Sequence, residues 1–196
     1  MRALRSLLVN DRGLASLEFA IVLPIMLSLL FATYELSQLV RAQLKVDTAT
    51  QSIADMVAQQ AAGVTSGTSG SLGNFCAAAK LMMTPFAAGT GSSTFAVSIA
   101  SVTNYSSGGV TLDWESDASC STTATALGAT AKTLATSPTN LVPTAGTPGD
   151  SVIVATVTYA YNSPLQYFLP GLLSLTHTAF ARPRSNNVVA CGSPCK

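Results

Sequence analysis

The stretch "RGLASLEFAIVLPIMLSLLFATYE", Arg12 to Glu35, sets a carboxylate at the lip of an apolar run. No charge interrupts the chain from Phe19 to Tyr34, and Glu18 and Glu35 bound the run. At about 1.5 Å rise per residue this makes roughly 24 Å of helix, short of a hydrocarbon core of about 30 Å. Extending back through Leu17, Ser16, Ala15 and Leu14 supplies the missing length and draws Glu18 to the membrane boundary, where a carboxylate is expensive. Residues 14–35 are therefore expected to be the transmembrane part of a helix, anchoring the chain in a lipid bilayer by a single pass. Arg2, Arg5 and Arg12 precede the run and Asp11 only partly offsets them, so the N-terminus is expected to stay in the cytoplasm and the remainder to cross. A secretory signal peptide would need small residues after the apolar region. The chain instead continues "YELSQLVRAQLKVD", with long polar and charged side chains at those positions. An anchor fits and a cleaved signal does not. Pro24 removes one backbone donor inside the run and is expected to kink it.

Working outward, the composition suits one modest domain with an appendage. Charged residues are 10% of the 196, against about 25% in ordinary soluble domains. A formal net charge of +1 offers no basic surface to nucleic acid. Beyond the run, Val46, Ala49, Thr50, Ile53 and Val57 recur on one helix face, and neither Pro nor Gly occurs between Leu36 and Ala62. One long helix from near Leu14 to near Ala62 is the simplest reading, with residues 36–62 outside the membrane. A separate amphipathic helix lying on the domain is the alternative.

Composition then shifts. "GVTSGTSGSLGN", residues 63–74, reads as a flexible connector, and "FCAAAKLMMTPF" as a short helix ended by Pro85. Phe95, Val97 and Ile99 alternate with polar residues, "SSGG" follows, and Val110, Leu112 and Trp114 alternate in turn. Two alternating runs around a glycine-bearing turn predict a β-hairpin. Thr122 to Thr136 has mixed propensity and reads as weakly helical, and "TNLVPTAGTPGD" reads as a loop. "SVIVATVTYAYNSP" is β-branched and aromatic and is stopped by Pro164, and Leu172 to Arg182 reads as a last strand. The fold class expected is α+β: a long N-terminal helix, then a small domain spanning residues 75–182 with an antiparallel sheet, and a cysteine-containing tail at 183–196.

Two ends of the chain carry a family resemblance. Gly13, four residues, then Glu18 and Phe19 opening an apolar helix looks like the class III leader of type IVb prepilins. "GDSVIVATVTYAYNSPL" and then "LTHTAFARPR" resemble the tail of the TadE-like minor pseudopilins of tight-adherence pili. The tail residues that carry this likeness are Asp150, Tyr159, Tyr161, Pro164, Arg182, Pro183 and Arg184. The resemblance implies a leader of residues 1–13, cut by prepilin peptidase between Gly13 and Leu14. It implies Glu18 and Phe19 at the N-terminal pairing site, where Glu18 meets the new α-amine of Leu14. Partners would be other pseudopilins and the major pilin through the N-terminal helix, and the inner-membrane assembly platform. The location implied is the bacterial inner membrane, with the C-terminal domain periplasmic or extracellular and incorporation in the pilus open. A single-pass binding or adhesion module outside any pilus is the competing reading.

Cys76, Cys120, Cys191 and Cys195 allow three pairings. The turn-prone "GSP" between Cys191 and Cys195 favours closing those two, which leaves Cys76 to Cys120. Neither pair has C-x2-C spacing and His177 is the only histidine, so no metal site is expected. His177 lies in the alternating "LTHTAF" and is expected at a solvent-facing or edge position. Asp113, Glu115 and Asp117 alternate and are expected on one solvated strand face. No G-x-S-x-G and no phosphate-cradling loop with a lysine occurs. No catalytic activity, cofactor or small-molecule substrate is expected.

Overall fold

Val46, Ala49, Thr50, Ile53 and Val57, the stripe picked out by periodicity, are fully buried in the computed structural model of the chain. The structure describes residues 14–67, 69–86, 95–104, 110–116, 149–162, 172–184, 188–192 and 195. The stripe lies on α1, a continuous helix Leu14–Ala58 that runs through Pro24. Of the two readings left open for its second half, the single helix is the one observed. It ends four residues before Ala62, because Gln60 N–H and Gly63 N–H turn back onto the carbonyls of Val57 and Gln60 and Gly63 adopts φ +84°.

The chain divides into two units, residues 1–40 with 163–171, and residues 41–162 with 172–196. In the first, the described part is α1 from Leu14 to Val40. The second holds the rest of α1, β1 (Val64–Thr65), α2 (Ser71–Met82), β2 (Phe95–Asn104), β3 (Val110–Glu115), β4 (Ser151–Asn162), β5 (Leu172–Ala181) and β6 (Cys191–Gly192). The fold class is α+β, as expected, with an antiparallel four-stranded sheet in the order β3-β2-β4-β5. The hairpin β2–β3 and the strands β4 and β5 lie where alternation placed them.

Register explains the core. Phe95, Val97 and Ile99 of β2 lie beside Tyr159, Val157 and Ala155 of β4, and all six are buried. Val157 and Ala155 in turn lie beside His177 and Ala179 of β5. Alternation puts these residues on one face of the sheet. That face meets α1, since Asp47 Oδ1 lies 3.0 Å from His177 Nδ1. The opposite face is apolar at one end, with Ala100, Val102, Leu112, Val152 and Val154 clustered and buried. At its other end hydroxyls pair across β4 and β5, Thr156 with Thr178 at 3.1 Å and Thr158 with Thr176 at 3.2 Å.

Two expectations are corrected. Residues 63–74 are not merely a connector: they hold β1 and the start of α2. Thr65 N–H donates to Ser71 Oγ at 2.8 Å and Ser71 N–H to Thr65 Oγ1 at 3.0 Å, so hydroxyls fix a segment that its glycines leave loose. Asp113 and Glu115 do not share a solvated face. The β2–β3 register shifts between Ser101 and Val102, leaving Asp113 as the extra residue of a bulge. Asp113 consequently accepts from the hydroxyls of Ser101 and Thr103, and Glu115 from Ser98 at 3.2 Å on the other side of the strand. Both acids are buried. Asp117, the expected helical turn at residues 122–136 and most of the loop before Asp150 lie outside the described residues.

Candidate functional site

Every described side chain from Ala15 to Leu27 is exposed. Over this part of α1 the exposure covers all sides, including Phe19 at 66% and Met26 at 62%. A helix apolar all round must be covered by lipid or by other helices. α1 is long and apolar enough to cross a membrane. Two of its hydroxyls are satisfied within the helix, Ser28 donating to the Ile25 carbonyl at 2.8 Å and Thr33 to the Leu30 carbonyl at 2.9 Å. Such back-bonding removes the cost of a free hydroxyl in hydrocarbon. Glu18 lies just past the first helical turn, among exposed apolar neighbours. Leu14 is the first helical residue, and Gly13 lies outside the described residues.

Residues 13–55 match the TadE-like protein family. The TadE-like match begins at Gly13, spans Glu18, Phe19 and Pro24, and ends within the buried half of α1. It ties this helix to a family involved in the tight-adherence pilus system. The tail that shares the resemblance lies outside the matched residues. No curated protein and no solved structure matches the chain.

The tail nevertheless has a definite position in the second unit. Tyr159 and Tyr161 are buried, and burial raises the phenol of Tyr159 above its ordinary pKa of 10.0. The Tyr161 ring meets Phe86 edge to face, with centroids 6.3 Å apart. Asp150 sits at the start of β4, where its carbonyl accepts from Asn104 N–H at 2.9 Å. Pro164 lies outside the described residues. Pro183 follows the end of β5, and Arg184 N–H then donates to the Ala58 carbonyl at 3.0 Å. That bond satisfies one of the orphan acceptors at the C-terminus of α1, where a cation is also favoured. The Arg184 guanidinium is 3.6 Å from Asp55, and Arg182 is exposed.

The rest of the tail runs back over the core. The Trp114 indole donates to the Val189 carbonyl at 2.7 Å, Val64 N–H donates to the Ala190 carbonyl at 2.8 Å, and β6 pairs in parallel with β1. Cys191 is joined to Cys195. Cys76 is buried and disulfide-bonded, and Cys120 lies outside the described residues.

Sequence reasoning missed the acid beside His177. Asp47 also accepts from Gln43 at 3.1 Å, one turn earlier on α1. A polar i, i+4 pair flanking an apolar stripe was the available signal, but nothing local names a histidine 130 positions on. Among the described residues no hydroxyl or thiol bonds the His177 imidazole, so the pair has an acid and a base but no nucleophile in place. It fastens α1 to β5.

Proposed function

We propose that this chain is a non-catalytic minor pseudopilin of a tight-adherence pilus system, cut by prepilin peptidase between Gly13 and Leu14 and acting in pilus assembly through α1. The TadE-like match that starts at Gly13 carries this reading. Glycine suits a scissile position because no side chain hinders an extended backbone in a protease cleft. Cutting there removes Arg2, Arg5 and Arg12 and creates a cationic α-amine on Leu14. Glu18 lies four residues further along α1. A carboxylate in lipid costs several kcal/mol, on the order of 3, and pairing with the amine of a neighbouring subunit recovers much of this. Between parallel helices such a pair fixes the axial stagger. The exposed apolar flanks of α1 supply the surface over which helices pack.

In this reading the inner membrane holds the chain before assembly, with the sheet domain outside the cytoplasm. The partners are the major pilin, other pseudopilins and the assembly platform. The test is Glu18→Ala in cells that make the pili. Cleavage is expected to persist while assembly is lost, and normal pili in this variant reject the pairing role. Gly13→Arg is expected to block cleavage, and normal processing of that variant rejects the cut site.

A further inference from the structure

In the sequence the apolar run ends at Glu35, because a charge stands there. The fold takes that charge off the surface: Glu35 is 1% exposed. On the exposed side of α1 the apolar surface continues past it, through Leu36 at 59%, Val40 at 50% and Leu44 at 59%. Spaced four apart, these three stand one above another along the helix, and the exposed Thr48 ends the stripe. Ala42, Val46 and Ala49 are buried on the other side. Arg41 is the first basic residue after Arg12. It is exposed, and Lys45 follows one turn on, half-buried. Among the described residues neither cation meets an acid.

At about 1.5 Å per residue counted from Glu18, a hydrocarbon core of about 30 Å is crossed near Gln38. Leu36 then stands just inside the far boundary, with Val40 and Arg41 about 3–5 Å beyond it, within a headgroup layer of about 5–8 Å. Lys45 lies about 10 Å beyond the boundary, and its long stem carries the ammonium back toward that layer. We propose that, in the unassembled chain, Leu36, Val40 and Leu44 lie against the leaflet on the side of the sheet domain, with Arg41 and Lys45 on the phosphates of anionic phospholipids. A neighbouring apolar helix would cover the stripe and leave both cations unanswered. Anionic phospholipid meets the stripe with its glycerol and acyl carbons and the cations with its phosphate.

All of these positions lie on one continuous helix, so their order in depth is independent of how the sheet unit is set against it. The contact rests on the membrane-anchored part of the reading above, and not on the cut at Gly13 or the pairing of Glu18.

The test places tryptophan singly at Leu27, Val40 or Gln51 of the full chain, reconstituted in vesicles of phosphatidylcholine and phosphatidylglycerol with one of the two lipids brominated at a time. Bromine quenches indole on contact, and the change is read above the Trp114 background. Leu27→Trp, near the bilayer centre, is expected to be quenched by chains brominated near their ends. Val40→Trp is expected to be quenched by chains brominated beside the headgroup, and Gln51→Trp by neither. At Val40→Trp phosphatidylglycerol is expected to quench as though enriched about fivefold or more, the factor by which each cation favours anionic lipid. Arg41→Gln with Lys45→Gln is expected to abolish the enrichment. Absence of quenching at Leu27→Trp removes the anchor and this contact with it. Quenching at Leu27→Trp without quenching at Val40→Trp overturns this proposal alone. Equal quenching by the two lipids, or an enrichment that survives the glutamine substitutions, overturns the anionic headgroup. Protection of Val40→Trp from bromine, with two chains crosslinked through that face, makes a second helix the occupant and overturns the choice.

Discussion

Gly63→Ala probes how the tail is held to the end of α1, and Gly67→Ala is its matched control. Both glycines have positive φ, +84° and +91°, so alanine at either costs about 1–2 kcal/mol of backbone strain. Reduced freedom of the unfolded chain returns about 0.4–1 kcal/mol in both. They differ in surroundings. A Cβ at Gly63 would lie 2.5 Å from the Ala190 carbonyl oxygen and 3.2 Å from its carbon, whereas one at Gly67 meets nothing within 4 Å. The obstacle at Gly63 is backbone, so relief requires the tail to move and the Val64 N–H bond to Ala190 to break. Losing it leaves the N–H of the buried Val64 without its partner and adds about 1–3 kcal/mol. Expected destabilisation is therefore about 3 kcal/mol for Gly63→Ala and about 1 kcal/mol for Gly67→Ala.

Trp114, the chain's single tryptophan, is buried and bonded to Val189, next to the displaced Ala190. Its emission in urea titrations of the detergent-solubilised chain reads the change where it occurs. With an m-value of about 1–3 kcal/mol/M, the midpoint for Gly63→Ala is expected to fall by about 1 M or more, with a red-shifted native spectrum. Equal midpoints for the two variants would refute the close approach at Ala190.

Other perturbations test other contacts. Asp113→Ala strands the hydroxyls of Ser101 and Thr103 in a buried bulge and is expected to cost about 2–4 kcal/mol in urea unfolding, against about 1 kcal/mol for Ser101→Ala. Asp47→Ala removes a partly exposed pair and is expected to cost no more than about 1 kcal/mol by the same assay. The buried Tyr159 phenol keeps its proton above pH 10.0, where the unfolded chain loses its own. The folded state then binds more protons, so stability is full below pH 10.0 and falls as pH rises through the folded pKa. Alkaline unfolding is expected to shift to higher pH in Tyr159→Phe.

How much of this was legible in the sequence follows from what each signal depends on. The apolar run and the Val46–Val57 stripe are local periodicities, and both α1 and its buried face followed from them. The strands β2 to β5 were legible because alternation and turn residues lie close together in the chain. The acids of β3 were misread because strict alternation assumes an unbroken register, and the extra residue at Asp113 is visible only against β2. β1 and the start of α2 escaped because glycine-rich composition signals freedom, while their order comes from Thr65 with Ser71 and from a tail more than 120 residues distant. The resemblance pointed to Arg184, but its bond to the end of α1 needed coordinates. At the candidate site the apolar helix, Glu18 and its spacing from Gly13 were all readable, because they lie within one short segment.

The central claim is that Glu18 acquires its partner only when the leader is removed. Mass spectrometry of the chain extracted from cell membranes, reading the N-terminal peptide, tests it most directly. The account predicts a mature protein that begins at Leu14, with residues 1–13 absent. Recovery of the chain with its N-terminus still at Met1, from cells with active prepilin peptidase, would contradict it.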